Sequence, residues 1–146
     1  MKKPLFNKIC IVGVGLIGGS LGMAIKKRKL AKLVVGVVRR DRTAKEAMKR
    51  KALDVATFNL KEGVRNADLV ILSAPVSAII RHLKEIAPAL KKNALVIDVG
   101  SSKSEINKAA RKFLKQNPFV GCHPMAGSEK TGVENAHPSL FEKSVC

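Results

Sequence analysis

A chain of 146 residues with 46% hydrophobic and 27% charged side chains has one domain's length and a globular composition, enough to bury a core. Its net charge of +17 is uneven, with 15 Lys/Arg against 3 Asp/Glu in residues 1–60. No aromatic side chains flank the basic runs, so the charge reads as a solvated surface that would favour an anionic cofactor, and no nucleic-acid partner is expected. Cys10, Cys122 and Cys146 are odd in number and form no CxxC, which fits a reducing, cytoplasmic setting and gives no support to a disulfide or a metal site.

In chain order, "KICIVGV" (8–14) predicts a first strand and 16–28 a helix. The run that joins them, "ICIVGVGLIGGSLGMAI" (9–25), invites two other readings. As a signal peptide it ends in "KKRK" where a small-residue cleavage site belongs, and as a membrane span it is short and laden with glycine, so no membrane partner is expected. "KLVVGVV" (32–38) predicts a second strand, 43–51 a helix, "DVAT" (54–57) a weaker strand, and "DLVILSAP" (68–75) a buried strand stopped by Pro75. Ile79, Ile80, Leu83, Ile86, Ala87 and Leu90 then recur at the helical period, and "ALVIDVG" (94–100) is another strand. Ile106, Ala109, Ala110, Phe113 and Leu114 mark one face of a further helix with Lys108, Arg111, Lys112 and Lys115 opposite, and "PFVGC" (118–122) is a short last strand. Strands and helices alternating without hairpin signals mean parallel strands joined by right-handed crossovers, a doubly wound α/β sheet. The remaining tail has little periodicity and is expected to form a long loop with one helical turn. It stops at "SVC", which reads as the start of another strand, so the expected domain, residues 1–146, is incomplete at its carboxyl end.

"GVGLIG" places Gly13, Gly15 and Gly18 in a G-x-G-x-x-G pattern, weak alone but informative between a strand and a helix. There Gly13 would allow the tight turn, Gly15 the approach of a pyrophosphate and Gly18 close helix-to-strand packing, with Leu16 and Ile17 opening the helix whose N–H groups meet the ligand. At the tip of the second strand, "VVRRDR" sets Val38, Arg39 and Arg40 where an acid would bind the ribose 2′-hydroxyl of NAD. Two guanidinium groups match a 2′-phosphate, so NADP is favoured, while Asp41 keeps NAD open. Ser73, Ala74 and Pro75 follow the fourth strand, where the cofactor's edge would pass.

Two later loops also lie at strand carboxyl ends. In "DVGSSKSE" (98–105), Ser102 and Glu105 read as a capping box, which leaves Ser101 free to point a hydroxyl into the crevice; Asp98 stays open between a structural and a catalytic acid. In "GCHPMAGSEKTG" (121–132), His123 follows the last strand, held extended by Pro124, where an imidazole can accept a proton near neutral pH. His82 and His137 have no comparable position, and Cys122, facing away from His123, reads as core.

"VGVGLIGGSLG", "DVGSSK" and above all "FVGCHPMAGSEKTGVENAHPSLFE" resemble the prephenate/arogenate dehydrogenase family of tyrosine biosynthesis, in order and over essentially the whole chain. The resemblance implies a Rossmann-type dinucleotide-binding domain of an NAD(P)-dependent oxidoreductase. Such an enzyme converts prephenate or arogenate to 4-hydroxyphenylpyruvate or tyrosine by hydride transfer, loss of carbon dioxide and aromatisation. It further implies His123 as the catalytic base on the ring hydroxyl, Ser101 as the serine orienting that hydroxyl, and Glu129 as a carboxylate gating or orienting the site. Family members form homodimers through a carboxyl-terminal helical domain that also supplies basic residues for the substrate carboxylates, and that domain has no counterpart in these residues. A catalytically silent nucleotide-binding or regulatory module of the same fold is the second expectation.

Overall fold

The computed structural model describes residues 3–146. Six strands, β1 (Phe6–Val12), β2 (Ala31–Val37), β3 (Val55–Thr57), β4 (Leu69–Leu72), β5 (Leu95–Asp98) and β6 (Phe119–Gly121), form one sheet in the order β3-β2-β1-β4-β5-β6. Every pairing is parallel, as the alternation of strand and helix predicts. The crossovers are α1 (Leu16–Lys27), α2 (Asp41–Lys49), α3 (Leu60–Val64), α4 (Val76–Ile86) and α5 (Ser104–Phe113), with a 3₁₀ turn at Ala87–Ala89 and another at Val133–Asn135.

The strands read as unbroken apolar runs because helices cover both faces of the sheet. On one face Cys10, Val12, Val70, Leu72 and Val96 meet Ile79, Leu83 and Ile86 of α4 and Ile106, Ala109 and Ala110 of α5. On the other, Ile9, Ile11, Val34 and Ile71 meet Ile25, Ala47, Leu53, Val133 and Ala136. Burial pushes the Cys10 thiol up to about 12, which leaves this cysteine as a small apolar core residue.

The run 9–25 divides into most of β1, a turn and most of α1; no helix among the described residues is long and apolar enough to cross a membrane. The tail makes a 3₁₀ turn at Val133–Asn135 and, beyond the single helical turn expected, a further run of turns over 138–143, where the Leu140 N–H donates to His137 O at 3.3 Å and the Glu142 N–H to Ser139 O at 3.1 Å. Two elements differ from the sequence reading. Helix α3 was not foreseen, since five residues are too few to show a period; its signal was Asn59, whose side chain accepts the Glu62 N–H at 3.0 Å and caps it. Helix α5 starts at Ser104 with Lys103 as its N-cap, one residue later than a capping box on Ser102 requires, and Glu105 instead pairs with Lys108 at 2.8 Å.

Candidate functional site

Strand order determines where a ligand can sit. β1 continues to β2 on one side and has β4 on its other, so the chains leaving β1 and β4 part and open a crevice at their carboxyl ends. Gly13 N–H donates to Val37 O at 3.1 Å and Ser73 N–H to Val12 O at 2.8 Å, which fixes the two loops on either side of the gap.

The three glycines differ in kind. Gly13 turns at φ +91°, a conformation side chains rarely adopt, and a Cβ there would overlap the Ser73 carbonyl oxygen and lie 2.8 Å from its carbon. At Gly18 a Cβ would overlap the Gly13 carbonyl oxygen and lie 3.2 Å from the Ile11 side chain, so this glycine lets α1 pack on β1. Gly15 has nothing within 4 Å of where its Cβ would be: its hydrogen faces open space. Helix α1 then begins with no side-chain cap and no acidic residue in its first turn, leaving its first N–H groups and the positive end of its dipole towards that space.

Gly15, Leu16 and Ile17, with Ser73, Ala74 and Pro75 and with Val99 beyond β5, line a crevice of about 380 Å³. The same crevice is also lined by Ser128, Lys130, Thr131 and Gly132 from the tail, which the sequence reading did not assign to cofactor binding. That segment is anchored to α1. Val133 and Ala136 are 2% and 3% exposed, and a Cβ on Gly19 would lie 2.9 Å from Val133 and 3.0 Å from Ala136. The His137 N–H donates at 3.1 Å to the hydroxyl of Ser20, itself fully buried. The hint in the sequence was the pair of apolar residues Val133 and Ala136, three apart between the polar residues of "GSEKTGVENAH". A second cavity, of about 350 Å³ between α5 and β6, lies outside this arrangement, and its Asn117 amide is already committed to Lys91 O and Ala94 O.

Ser101, His123 and Glu129 are exposed side chains that do not line the crevice. Ser101 lies two residues past Val99, Glu129 lies between Ser128 and Lys130, and His123 lies two residues past the end of β6. Arg39 and Arg40 are also exposed and follow the buried Val38 at the tip of β2. Asp41 opens α2 and pairs with Lys45 at 2.7 Å.

Asp98 has structural partners on its Oδ2 and backbone, while its buried Oδ1 has no hydrogen-bond partner among the described residues. It is fully buried, its Oδ2 accepts the Gly100 N–H at 2.9 Å and pairs with the Lys103 ammonium, and its carbonyl accepts the Cys122 N–H at 3.0 Å. One residue thus ties down both ends of the loop bearing Ser101 and the strand end that leads to His123. Lys103, turned in towards Asp98, keeps residues 100–103 out of the helix, which is why the expected capping box does not form. Lys103→Met would leave Asp98 charged and unpaired in the interior; since the lysine side chain is itself 28% exposed, the expected cost is about 2–3 kcal/mol, read by urea unfolding.

Cys122 departs from the expected core position. It is half-buried just past the end of the edge strand β6, whose Val120, two residues earlier, is 50% exposed. Burial raises its thiol pKa, and the nearby Cys146 raises it further. On α4, burial holds the half-buried His82 imidazole low, with Arg81 and Arg39 adding to the effect against Glu85.

Residues 21–146 match the family model described as "Prephenate dehydrogenase, nucleotide-binding domain". Over 141 residues the chain is 40% identical to the prephenate dehydrogenase of Lactococcus lactis subsp. cremoris, covering 94% of this chain and 39% of that protein. Among solved structures, Synechocystis arogenate dehydrogenase superposes with a TM-score of 0.86 at 33% identity, covering 94% of this chain and 48% of the other. Prephenate dehydrogenase from A. aeolicus, in complex with hydroxyphenyl propionate and NAD+, superposes with a TM-score of 0.88 at 29% identity, covering 98% and 50%. The chain therefore spans between two-fifths and half the length of these relatives.

Proposed function

The chain belongs to the prephenate dehydrogenase family, in which it matches the nucleotide-binding domain, and from that premise we propose that it holds the NAD(P) cofactor and supplies the base of a prephenate or arogenate dehydrogenase. One observation carries the reading furthest: the crevice beside the glycine loop is also lined by the segment that follows His123. The residues present fit a dinucleotide, since Gly15 leaves space where a side chain would stand and α1 offers uncapped N–H groups to a diphosphate. When bound, the nicotinamide supplies the hydride acceptor.

The chain's own residues then have separate duties. Gly13 and Gly18 shape the loop, Gly15, Leu16 and Ile17 present N–H groups to the diphosphate, and Ser73, Ala74 and Pro75 border the cofactor. His123 accepts the proton of the substrate's ring hydroxyl, Ser101 orients that hydroxyl, and Glu129 orders the mouth of the site. Loss of carbon dioxide and formation of an aromatic ring drive the reaction, so placement contributes most of what the protein must add. The family resemblance implies a carboxyl-terminal helical half, and to it we assign the substrate carboxylates and the homodimer contact. Steady-state assay with prephenate and with arogenate, on a form of the protein that carries the substrate-carboxylate half, tests the reading, and cofactor binding without product from either would sink it. A catalytically silent module gains no support, because the relatives named above are dehydrogenases.

NADP is the cofactor this chain favours. The place of a ribose-binding acid is taken by buried Val38, the first exposed groups after it are Arg39 and Arg40, and Asp41 is engaged by Lys45 at the start of α2. The A. aeolicus relative is described with NAD+, so the arginines are where a difference would be measured. Arg39→Asp is expected to weaken NADP binding by about 10- to 100-fold, the worth of a charge-assisted hydrogen bond, and to narrow the preference over NAD. Unchanged affinities in calorimetric titrations with both cofactors would refute the assignment.

A further inference from the structure

We propose that Lys130 is the cation that neutralises the cofactor diphosphate, reaching it from the tail in the crevice beside the glycine loop. The inference rests on the reading of the crevice as the dinucleotide site and adds the residue that the glycine pattern does not contain. Of the residues lining that crevice, Lys130 alone is charged; the rest are small, apolar or hydroxyl-bearing. The same crevice is lined by Gly15, Leu16 and Ile17, whose N–H groups supply hydrogen bonds and a partial positive charge but no full charge. A diphosphate bridge carries two negative charges, more than a helix end offsets, and the first turn of α1 contains no basic residue.

The position is held by packing. Val133 and Ala136 lie buried against Gly19, the His137 N–H is donated to Ser20, and the Asn135 amide donates to Thr131 O at 2.7 Å, so the segment just after Lys130 is fixed to the same helix whose start faces the crevice. Gly132 turns at φ +87°, which lets the chain reverse from that anchor back over the crevice. Lys130 has Glu129 as its neighbour and follows His123 by seven residues. Contact between Lys130 and the diphosphate therefore orders the loop that carries both.

The test uses the 146-residue chain and needs no turnover. Calorimetric titration with NADP, NAD, ADP and adenosine compares the wild type with Lys130→Ala, Lys130→Arg and, as a control for general loss of charge, Lys84→Ala on the exposed side of α4. Lys130→Ala is expected to weaken ADP and both dinucleotides by about tenfold or more, to flatten their salt dependence, and to leave adenosine unchanged, with Lys130→Arg recovering most of the loss. ADP is also expected to shield the Lys130–Thr131 bond from trypsin where adenosine does not. An ADP affinity within twofold of wild type, or a loss matched by Lys84→Ala or by adenosine, overturns the proposal while leaving the crevice as the cofactor site. A wild-type chain that binds none of the four ligands overturns both readings together.

Discussion

Replacing His123 by Asn is expected to lower turnover by about 10²- to 10⁴-fold, the usual contribution of a positioned general base, while cofactor affinity and thermal stability stay near wild type. Asn keeps a hydrogen-bonding side chain of similar reach but cannot take up the ring-hydroxyl proton. Stability should hold because His123 is exposed and contributes no side chain to either core cluster. Cofactor affinity should hold because His123 does not line the crevice beside the glycine loop. The measurement is kcat and kcat/KM against pH in a form of the protein that turns over, together with a cofactor titration of the same variant. Loss of the limb of the pH profile that reports the base would accompany the loss of rate. Turnover within twofold of wild type would remove His123 from the chemistry, and a parallel fall in cofactor affinity would assign it to loop placement instead.

The second large effect separates two glycines that one motif treats alike. Gly13→Ala is expected to destabilise the fold by about 3 kcal/mol or more, from strain in a left-handed backbone and from overlap with the Ser73 carbonyl. For a chain of this size that lowers the unfolding midpoint by about 10 °C. Gly15→Ala, at φ −96° with nothing within 4 Å of its Cβ, should unfold at nearly the wild-type temperature. Its methyl group would occupy the space left for the diphosphate, and cofactor affinity should fall by about 100-fold through lost N–H contacts to a charged group. Scanning calorimetry and cofactor titration of the two variants check the contrast. A Gly15→Ala chain that binds cofactor normally would show that the diphosphate does not approach there.

Much of the molecule was legible in the chain. Apolar runs such as "LVVGVV" and "LVILSAP" declare strands buried on both faces, and the stripe through Ile79, Leu83 and Ile86 declares a helix over them, because burial on a sheet demands those periods. The glycine loop was legible because Gly13 and Gly18 answer to local steric limits that few other residues satisfy. Short or indirect features were less so. Helix α3 is too brief for a period to show, and the start of α5 was misread because Ser102 and Glu105 have the local spacing of a cap while Lys103 is drawn inward by a buried carboxylate. Cys122 reads as core from strand alternation, yet it lies just past the end of an edge strand.

By itself the sequence determined the parallel α/β sheet and the place of the glycine loop between β1 and α1, through residues whose spacing is set by local geometry, and the family through the resemblance of its motifs to known members. Only the tertiary structure decided that Asp98 is a buried clamp, that Gly15 alone of the three glycines faces open space, and that Lys130 lines the same crevice. Each of these depends on contacts between residues far apart in the chain: Asp98 with Cys122, Gly13 with Ser73, Gly19 with Val133. Local pattern reports which face of an element is buried, but the partner that meets it is chosen by the packing of the whole fold.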